Sequence, residues 1–212
     1  CKAASEPSAY GSHRIVEING INCLLAITEK SIHCLNVETG EHYWSHDLNY
    51  PDGIHANVPL YKDGYIFAMN GWGSGSVMMK IKEDNSGVDE VWRSHLFDLE
   101  HGDVIAMHGN IYGADYTTKH FSCVDWKTGL VKDSVKQFAP ATVIAAEGLI
   151  YCLDYAGELA LIKPLTDGFE IISTFKVPGV KKDHIAHPVI HNKKLYIRYA
   201  NSLWVYDIED KS

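Results

Sequence analysis

The sequence predicts an all-β protein made of repeated antiparallel units, and three observations lead to that prediction. An apolar strand, a polar turn and a strand ending in an aromatic residue recur over residues 57–67, 102–112, 141–151 and 186–196, and a degenerate copy begins near residue 11. The equivalent positions are separated by 45, 39 and 45 residues, measured along Pro59, Val104, Val143 and Pro188. Short apolar runs bounded by Gly, Asn and Asp are typical of strands and hairpins. No long helical pattern is present.

Each copy continues with a third strand. These third strands are predicted over residues 32–37, 77–81, 121–126, 159–162 and 203–208. A Gly turn and a fourth strand follow in four copies, for example at 42–45 and 90–93. Four strands in a unit of about 40–50 residues are typical of a β-propeller blade. Leucine-rich repeats are shorter, helical repeats need a 3.6-residue period, and the Gly-His and Trp-Asp marks of WD40 blades are missing.

The repeats predict a single propeller segment over residues 1–212, with four full blades and a three-stranded fifth. The approximate blade bounds are 10–48, 54–96, 100–137, 140–177 and 185–210. An open blade flank would expose apolar surface and unpaired strand edges, which soluble monomers avoid. We therefore expect the segment to be the C-terminal part of a longer ring, or else to be completed by a second copy.

Composition excludes several classes of protein. Of the 212 residues, 46% are hydrophobic and 22% charged, as in ordinary globular chains. The net charge of -8 argues against a nucleic-acid partner, because phosphate contacts need a basic face. No run of 18 apolar residues predicts a membrane span, and no targeting signal is visible. The five cysteines lack CxxC spacing, and four lie in apolar runs that predict small buried side chains.

The third strand, Thr-Gly turn and aromatic pattern at 34–44 and 123–129 resembles the pyrroloquinoline-quinone-like propeller repeat. That family includes quinoprotein alcohol dehydrogenases and the propeller lipoprotein of the outer-membrane assembly machinery. The resemblance extends from about residue 10 to residue 208, and it implies a periplasmic or secreted protein whose closed ring has about eight blades. It is specific for the fold and weak for the activity.

Blade topology sorts the loops onto two faces. The connections into the inner strands and the second-to-third loops share the face that is rich in histidine and aromatic residues. Because loops held by a rigid scaffold carry function, we predict binding residues there: His13, His55, Asn57, Trp72, His101, Asp103, Tyr116, Tyr155, His184 and His187. Trp72, in the Gly-rich hairpin loop at 70–75, is either an exposed stacking platform or folded back on a neighbouring blade.

Two catalytic or metal-dependent readings are weaker. His101, Asp103, His184 and His187 are suitable ligand types for a transition metal, but different blades supply them, so no metal site is predicted. Enzymes of the resembling family hold the quinone between a Trp and a disulfide of adjacent cysteines, with Ca²⁺ and an Asp base. This sequence has no Cys-Cys pair, and Asp103 lacks recognisable calcium partners. No catalytic residue and no cofactor is therefore predicted.

The sequence as a whole favours a non-catalytic binding or scaffold propeller. Its predicted ligand is a carbohydrate or a protein or peptide segment, docked on the histidine- and aromatic-rich face. Two alternatives stay open. One is a quinone-dependent alcohol or sugar dehydrogenase, using pyrroloquinoline quinone and calcium, with cofactor residues partly in a missing N-terminal half. The other is a subunit of an envelope assembly complex that binds partners by strand addition.

Overall fold

A computed structural model describes residues 5–50, 56–181 and 183–209 of the chain. The secondary-structure elements within these ranges are all β-strands, and they form antiparallel sheets. The predicted all-β class is therefore confirmed. Among the described residues, no helix has the length and apolar character that crossing a bilayer would require.

Each sheet is an up-and-down meander of consecutive strands. The first contains β1 (Arg14–Ile18), β2 (Ile21–Ile27), β3 (Ser31–Asn36) and β4 (His42–Asp47). The second contains β5 (Leu60–Lys62), β6 (Tyr65–Asn70), β7 (Gly75–Ile81) and β8 (Val88–Ser94). The third contains β9 (Ile105–Met107), β10 (Asn110–Ala114), β11 (Phe121–Asp125) and β12 (Val131–Val135).

The fourth sheet contains β13 (Ala141–Ala146), β14 (Leu149–Asp154), β15 (Glu158–Leu165) and β16 (Gly168–Lys176). The fifth contains β17 (Val189–His191), β18 (Lys194–Tyr199) and β19 (Ser202–Asp207). Among the described residues there are thus four sheets of four strands and one of three. This is the blade content that the repeats predict.

The chain divides into two compact units. The first consists of residues 1–100 and 127–129, and the second of residues 101–126 and 130–212. The interpretation of residues 1–212 as one propeller segment stays a prediction.

The first-to-second strand hairpins close through two residues in the left-handed region. The turns are Asn19–Gly20, Asp63–Gly64, His108–Gly109, Glu147–Gly148 and Asn192–Lys193. Such turns match the right-handed twist of the flanking strands. Gly tolerates the second position because it has no Cβ, whereas the fifth copy places Lys193 there at a φ of 57°.

The core of the first unit is built from the alternating residues of its two sheets. Along β2, Cys23, Leu25 and Ile27 point inward and alternate with more exposed neighbours. They pack in one cluster with Ile66 and Met79 of the second sheet. Alternation with a period of two is what a sheet with a single buried face requires.

In the second unit, one core cluster joins the fourth and fifth sheets. Leu153 and Leu159 pack with Leu195 and Ile197, all of them almost fully buried. The predicted buried cysteines are confirmed, since the buried free thiols are Cys23, Cys34, Cys123 and Cys152. These thiols act as small apolar core side chains.

Candidate binding site

Two grooves that share Asp183 lie in the second unit, and they collect several of the predicted site residues. The first, which we call the tyrosine groove, has a volume of about 300 Å³ and is lined by Tyr116, Lys119, Asp154, Tyr155, Lys181 and Asp183. The second, the histidine groove, has a volume of about 400 Å³ and is lined by Asp183, His184, Ile185, Arg198 and Tyr199. The lining comes from the β10–β11 loop, the β14–β15 turn, the β16–β17 connection and the end of β18.

Tyr116 lies in the β10–β11 loop, which a local hydrogen bond shapes. The backbone N–H of Thr118 donates to Oδ1 of the buried Asp115 at 2.6 Å, closing a turn that aspartate side chains commonly form. This turn brings Lys119 Nζ to 3.6 Å from the centroid of the Tyr116 ring. The tyrosine is 53% exposed, but a cation covers one of its ring faces.

Tyr155 is anchored through its backbone. Its N–H donates to the carbonyl of Pro140 at 2.9 Å, and its own carbonyl accepts from the N–H of His184 at 3.0 Å. Its hydroxyl lies 3.5 Å from the carbonyl oxygen of His101. These contacts fix the β14–β15 turn relative to the β16–β17 connection, which together form the boundary between the two grooves.

His184 is the most deeply buried of the predicted site residues in this unit, with 1% exposure. Its ring stacks on Tyr199 with 5.7 Å between centroids and 16° between planes. Within the described residues, neither ring nitrogen has a hydrogen-bond partner. Burial lowers the pKa of His184 despite nearby backbone carbonyl groups that favour the charged form. A neutral imidazole therefore brings one unused donor and one unused acceptor to the histidine groove.

The charges around the grooves are mixed, with an excess of cations. Lys119, Lys181 and Arg198 face two carboxylates, Asp154 and Asp183. Asp154 uses Oδ1 to accept the N–H of Glu158 at 2.7 Å, which stabilises the β14–β15 turn. Sequence reasoning missed these five residues, because charged loop residues look like ordinary solvated surface. The one signal in the sequence was that Lys119 lies three residues after the predicted site residue Tyr116, in the same loop.

The other predicted site residues of the second unit do not line the two grooves. His101 and His187 are exposed, and Asp103 is half-buried. None of these three side chains is part of either lining. Among the described residues, no group of three or more His, Cys, Asp or Glu side chains could hold a metal ion. The four candidate ligands are therefore not brought together.

In the first unit, the predicted site residues lie in different environments. Asn57 is buried and donates from Nδ2 to the carbonyl of Leu99 at 2.7 Å, so it supports the fold. Trp72 is 58% exposed and has a φ of 60°. His13 is exposed just before β1. His55 lies outside the described residues.

The first unit contains a buried polar cluster that sequence reasoning also missed. His33, on β3, is 5% exposed, and its Nδ1 lies 3.2 Å from Nε2 of His42. On its other side, Nε2 lies 3.7 Å from the carboxylate of Glu6. Hydroxyl groups of Thr28 and Ser31 donate to the same carboxylate at 2.5 and 3.1 Å. The cluster ties the chain around residue 6 to the first sheet.

The buried thiols are poor candidates for nucleophiles. Burial raises the pKa of Cys34 to about 12, and it raises the pKa of Cys152 further. A thiol of this kind stays protonated near neutral pH, and the thiolate is the reactive form.

The fold defines the class of protein: the sheets are the antiparallel blades of a β-propeller, four with four strands and a fifth with three among the described residues. The chain superposes on BamB from Moraxella catarrhalis with a TM-score of 0.64 at 16% identity, covering 96% of this chain and 61% of that one. Sqt1 from Saccharomyces cerevisiae gives a TM-score of 0.65 at 11% identity, covering 88% and 57%. The computationally designed protein Ika8 gives 0.62 at 9% identity, covering 92% and 57%.

These similarities concern the fold. The chain spans about three fifths of the length of the solved structures that it matches. No protein-family model matches the sequence. No curated protein matches it by sequence either.

Proposed function

We propose that the chain is a non-catalytic binding propeller of the pyrroloquinoline-quinone-like repeat class, and that its ligand docks in the tyrosine and histidine grooves. One observation carries the proposal: Tyr116, Tyr155 and His184, predicted from separate loops, line two grooves that share Asp183. Concave sites with a few converging polar groups are the usual form of a binding site. The resemblance of the repeats supports a periplasmic or secreted location.

The described residues do not fit the quinone of the resembling enzymes. That group needs adjacent cysteines, whereas the described cysteines are free and lie on β2, β3, β11 and β14. It also needs grouped carboxylate ligands for calcium, and the part of the chain that the structure describes offers no such group. Adding pyrroloquinoline quinone with Ca²⁺ should leave no stoichiometric chromophore on the protein after gel filtration. A chromophore that stays bound would favour the dehydrogenase alternative.

Ligand mapping by NMR tests the binding proposal. The probes are maltohexaose, hexagalacturonate, hexaglutamate and hexalysine, and the readout is the backbone amide signals of the groove residues. Tyr116→Ala should weaken the binding of whichever probe perturbs them by about threefold or more, because an exposed aromatic contact is lost. Tyr10→Ala, at a residue that is 80% exposed in the first unit, is the matched control. Probes that perturb only the first-to-second strand turns, or none of the groove signals, would contradict the proposal.

A second candidate function, partner binding by strand addition, is favoured by the outer edge of the fifth sheet. Among the described residues, β19 pairs with β18 alone, which places it at the edge of the fifth sheet. Leu203 and Val205 on this strand are 62% and 48% exposed. Exposed apolar edge strands are templates for pairing with another chain.

Val205→Lys tests this second candidate. A charge on the edge strand opposes pairing, so any self-association of the wild-type chain should decrease in light scattering coupled to gel filtration. Lys163→Gln, a charge change on β15, is the control and should leave the mass unchanged. A wild-type chain that is monomeric at all concentrations and insensitive to Val205→Lys would argue against strand addition between copies.

A further inference from the structure

We infer that the two grooves recognise an acidic peptide segment, whose carboxylates are bound by Lys119, Lys181 and Arg198. This inference rests on the proposed function and specifies its ligand. Three observations on the second unit favour a peptide of this kind as the ligand. They are the charges that line the grooves, the side chains that cover the aromatic rings, and the ring nitrogens of His184 that have no hydrogen-bond partner in the described structure.

The charge around the grooves runs against the charge of the chain. The whole chain carries -8, yet three cations line the grooves against two carboxylates. One of those carboxylates, Asp154, is partly used by the N–H of Glu158. Among the described residues, neither Lys181 nor Arg198 forms an ion pair. The two linings together therefore carry one more cation than carboxylate on an otherwise acidic chain, and this favours an anionic ligand over a cationic one.

The aromatic rings near the grooves are poorly placed to stack on a sugar. Lys119 covers one face of Tyr116, and His184 covers one face of Tyr199. Tyr155 is half-buried, with its hydroxyl directed to the carbonyl of His101. A glycan that relies on aromatic stacking therefore has at most one uncovered face of Tyr116 and of Tyr199 to use. Recognition by charge and hydrogen bonds suits a peptide with carboxylate side chains better.

His184 supplies the specific polar contact. It lines the histidine groove beside Arg198, is almost fully buried, and has two ring nitrogens without a partner in the described structure. A buried polar group without a partner costs free energy, and a ligand that satisfies it recovers that cost. The neutral ring can donate one hydrogen bond to a peptide carbonyl or carboxylate and accept one from a peptide N–H. A peptide backbone carries both groups.

Fluorescence anisotropy with labelled hexaglutamate tests the inference at low salt. Lys181→Gln and Arg198→Gln, both at exposed positions, should each weaken binding about threefold to tenfold, because each removes one surface charge contact. The matched controls are Lys163→Gln and Lys176→Gln, exposed cations of the same unit outside the groove linings, and they should have no such effect. Binding should also weaken as salt is added. NMR should show the ring signals of His184 moving on addition of hexaglutamate.

Two outcomes would overturn the inference and leave the proposed function standing. One is hexagalacturonate binding that depends on Lys181 and Arg198 while hexaglutamate fails to bind, which identifies an anionic glycan. The other is a preference for hexalysine or maltohexaose at the same grooves. If hexaglutamate binds equally to all variants and leaves the His184 signals unmoved, the peptide binds elsewhere and the inference is wrong. If none of the four probes perturbs the groove residues, the proposed function fails with it.

Discussion

Gly157 holds the β14–β15 turn beside the tyrosine groove in a conformation that other residues resist. Its φ is +87°, and a Cβ placed there would lie 2.5 Å from Cβ of Val180. Its N–H donates to the carbonyl of Asp154, and its own carbonyl accepts from Val177. The glycine therefore allows both the left-handed turn and the close approach of the segment that leads to the groove.

Gly157→Ala should lower the free energy of unfolding by about 2 to 4 kcal/mol, since it adds left-handed strain and a clash with Val180. Gly148→Ala is the matched control. It has a φ of +78° and open space around its Cβ, so it should cost only about 1 kcal/mol. Urea denaturation of both variants measures the difference. Equal losses would mean that Val180 moves aside freely.

The thiol of Cys34 gives a second test at the residue scale. Burial first, and Cys23 beside it, raises the pKa of Cys34 to about 12. At pH 8 only about one molecule in ten thousand carries the reactive thiolate. Iodoacetamide should therefore label Cys34 at least about 100-fold more slowly in the native protein than in guanidinium chloride, as followed by peptide mass spectrometry. Labelling at equal rates would show that β3 opens readily.

At the scale of the elements, the same two devices recur in sheet after sheet. One is the left-handed two-residue turn between first and second strands. The other is a β-bulge in the fourth strand of each four-stranded sheet, where one extra residue interrupts the pairing with the third strand. The bulged residues are Tyr43, Val91, Lys132 and Ile172. A bulge at an equivalent place increases the local twist of each sheet. The sequence repeat does not reveal it, because no residue type marks the bulged position.

Lys193→Gly tests the turn of the fifth sheet. Lys193 adopts a φ of 57° where four other turns have Gly. Glycine should raise the free energy of unfolding by about 0.5 to 1 kcal/mol by removing the left-handed strain. It also removes an exposed ion pair with Glu209, which is worth little. Lys194→Gly, in the adjacent strand position, should instead destabilise, and thermal unfolding distinguishes the two variants. A loss in both would show that the turn is unstrained.

For the molecule as a whole, buried histidines couple stability to pH. Burial lowers the pKa of His184 and of His33, although Glu6 acts on His33 in the opposite direction. The unfolded chain, with histidines near 6.5, therefore binds protons that the folded chain does not. Stability should fall as the pH drops below about 6.5 and continue to fall until the folded pKa is reached.

The same linkage applies to Glu6 at lower pH. The hydrogen bond from Thr28 is the main cause that lowers the pKa of Glu6. The ionised Glu6 therefore contributes fully to the free energy of unfolding above pH 4.5, and this contribution is lost as the pH falls further. Urea midpoints between pH 7.5 and about 3 measure both effects. His184→Gln should flatten the slope below neutral pH, with His187→Gln as a surface control for the loss of a histidine. A slope that His184→Gln does not change would assign the effect to other groups.

The whole-molecule prediction of further blades or a second copy stays open as a prediction. The chain spans 57–61% of the length of the three solved structures named above, and the family resemblance implies a ring of about eight blades.

The sequence by itself determined the blade content, because period-two alternation and recurrent polar turns are local properties of the chain. It also predicted that Tyr116, Tyr155 and His184 lie on the face that is rich in histidine and aromatic residues. Tertiary structure alone decided which of the predicted residues meet. It separated Asn57 as a structural residue and brought Lys119, Lys181 and Arg198 to the grooves. Charged loop residues carry no periodic signal, so only the packing of distant segments determines what they face.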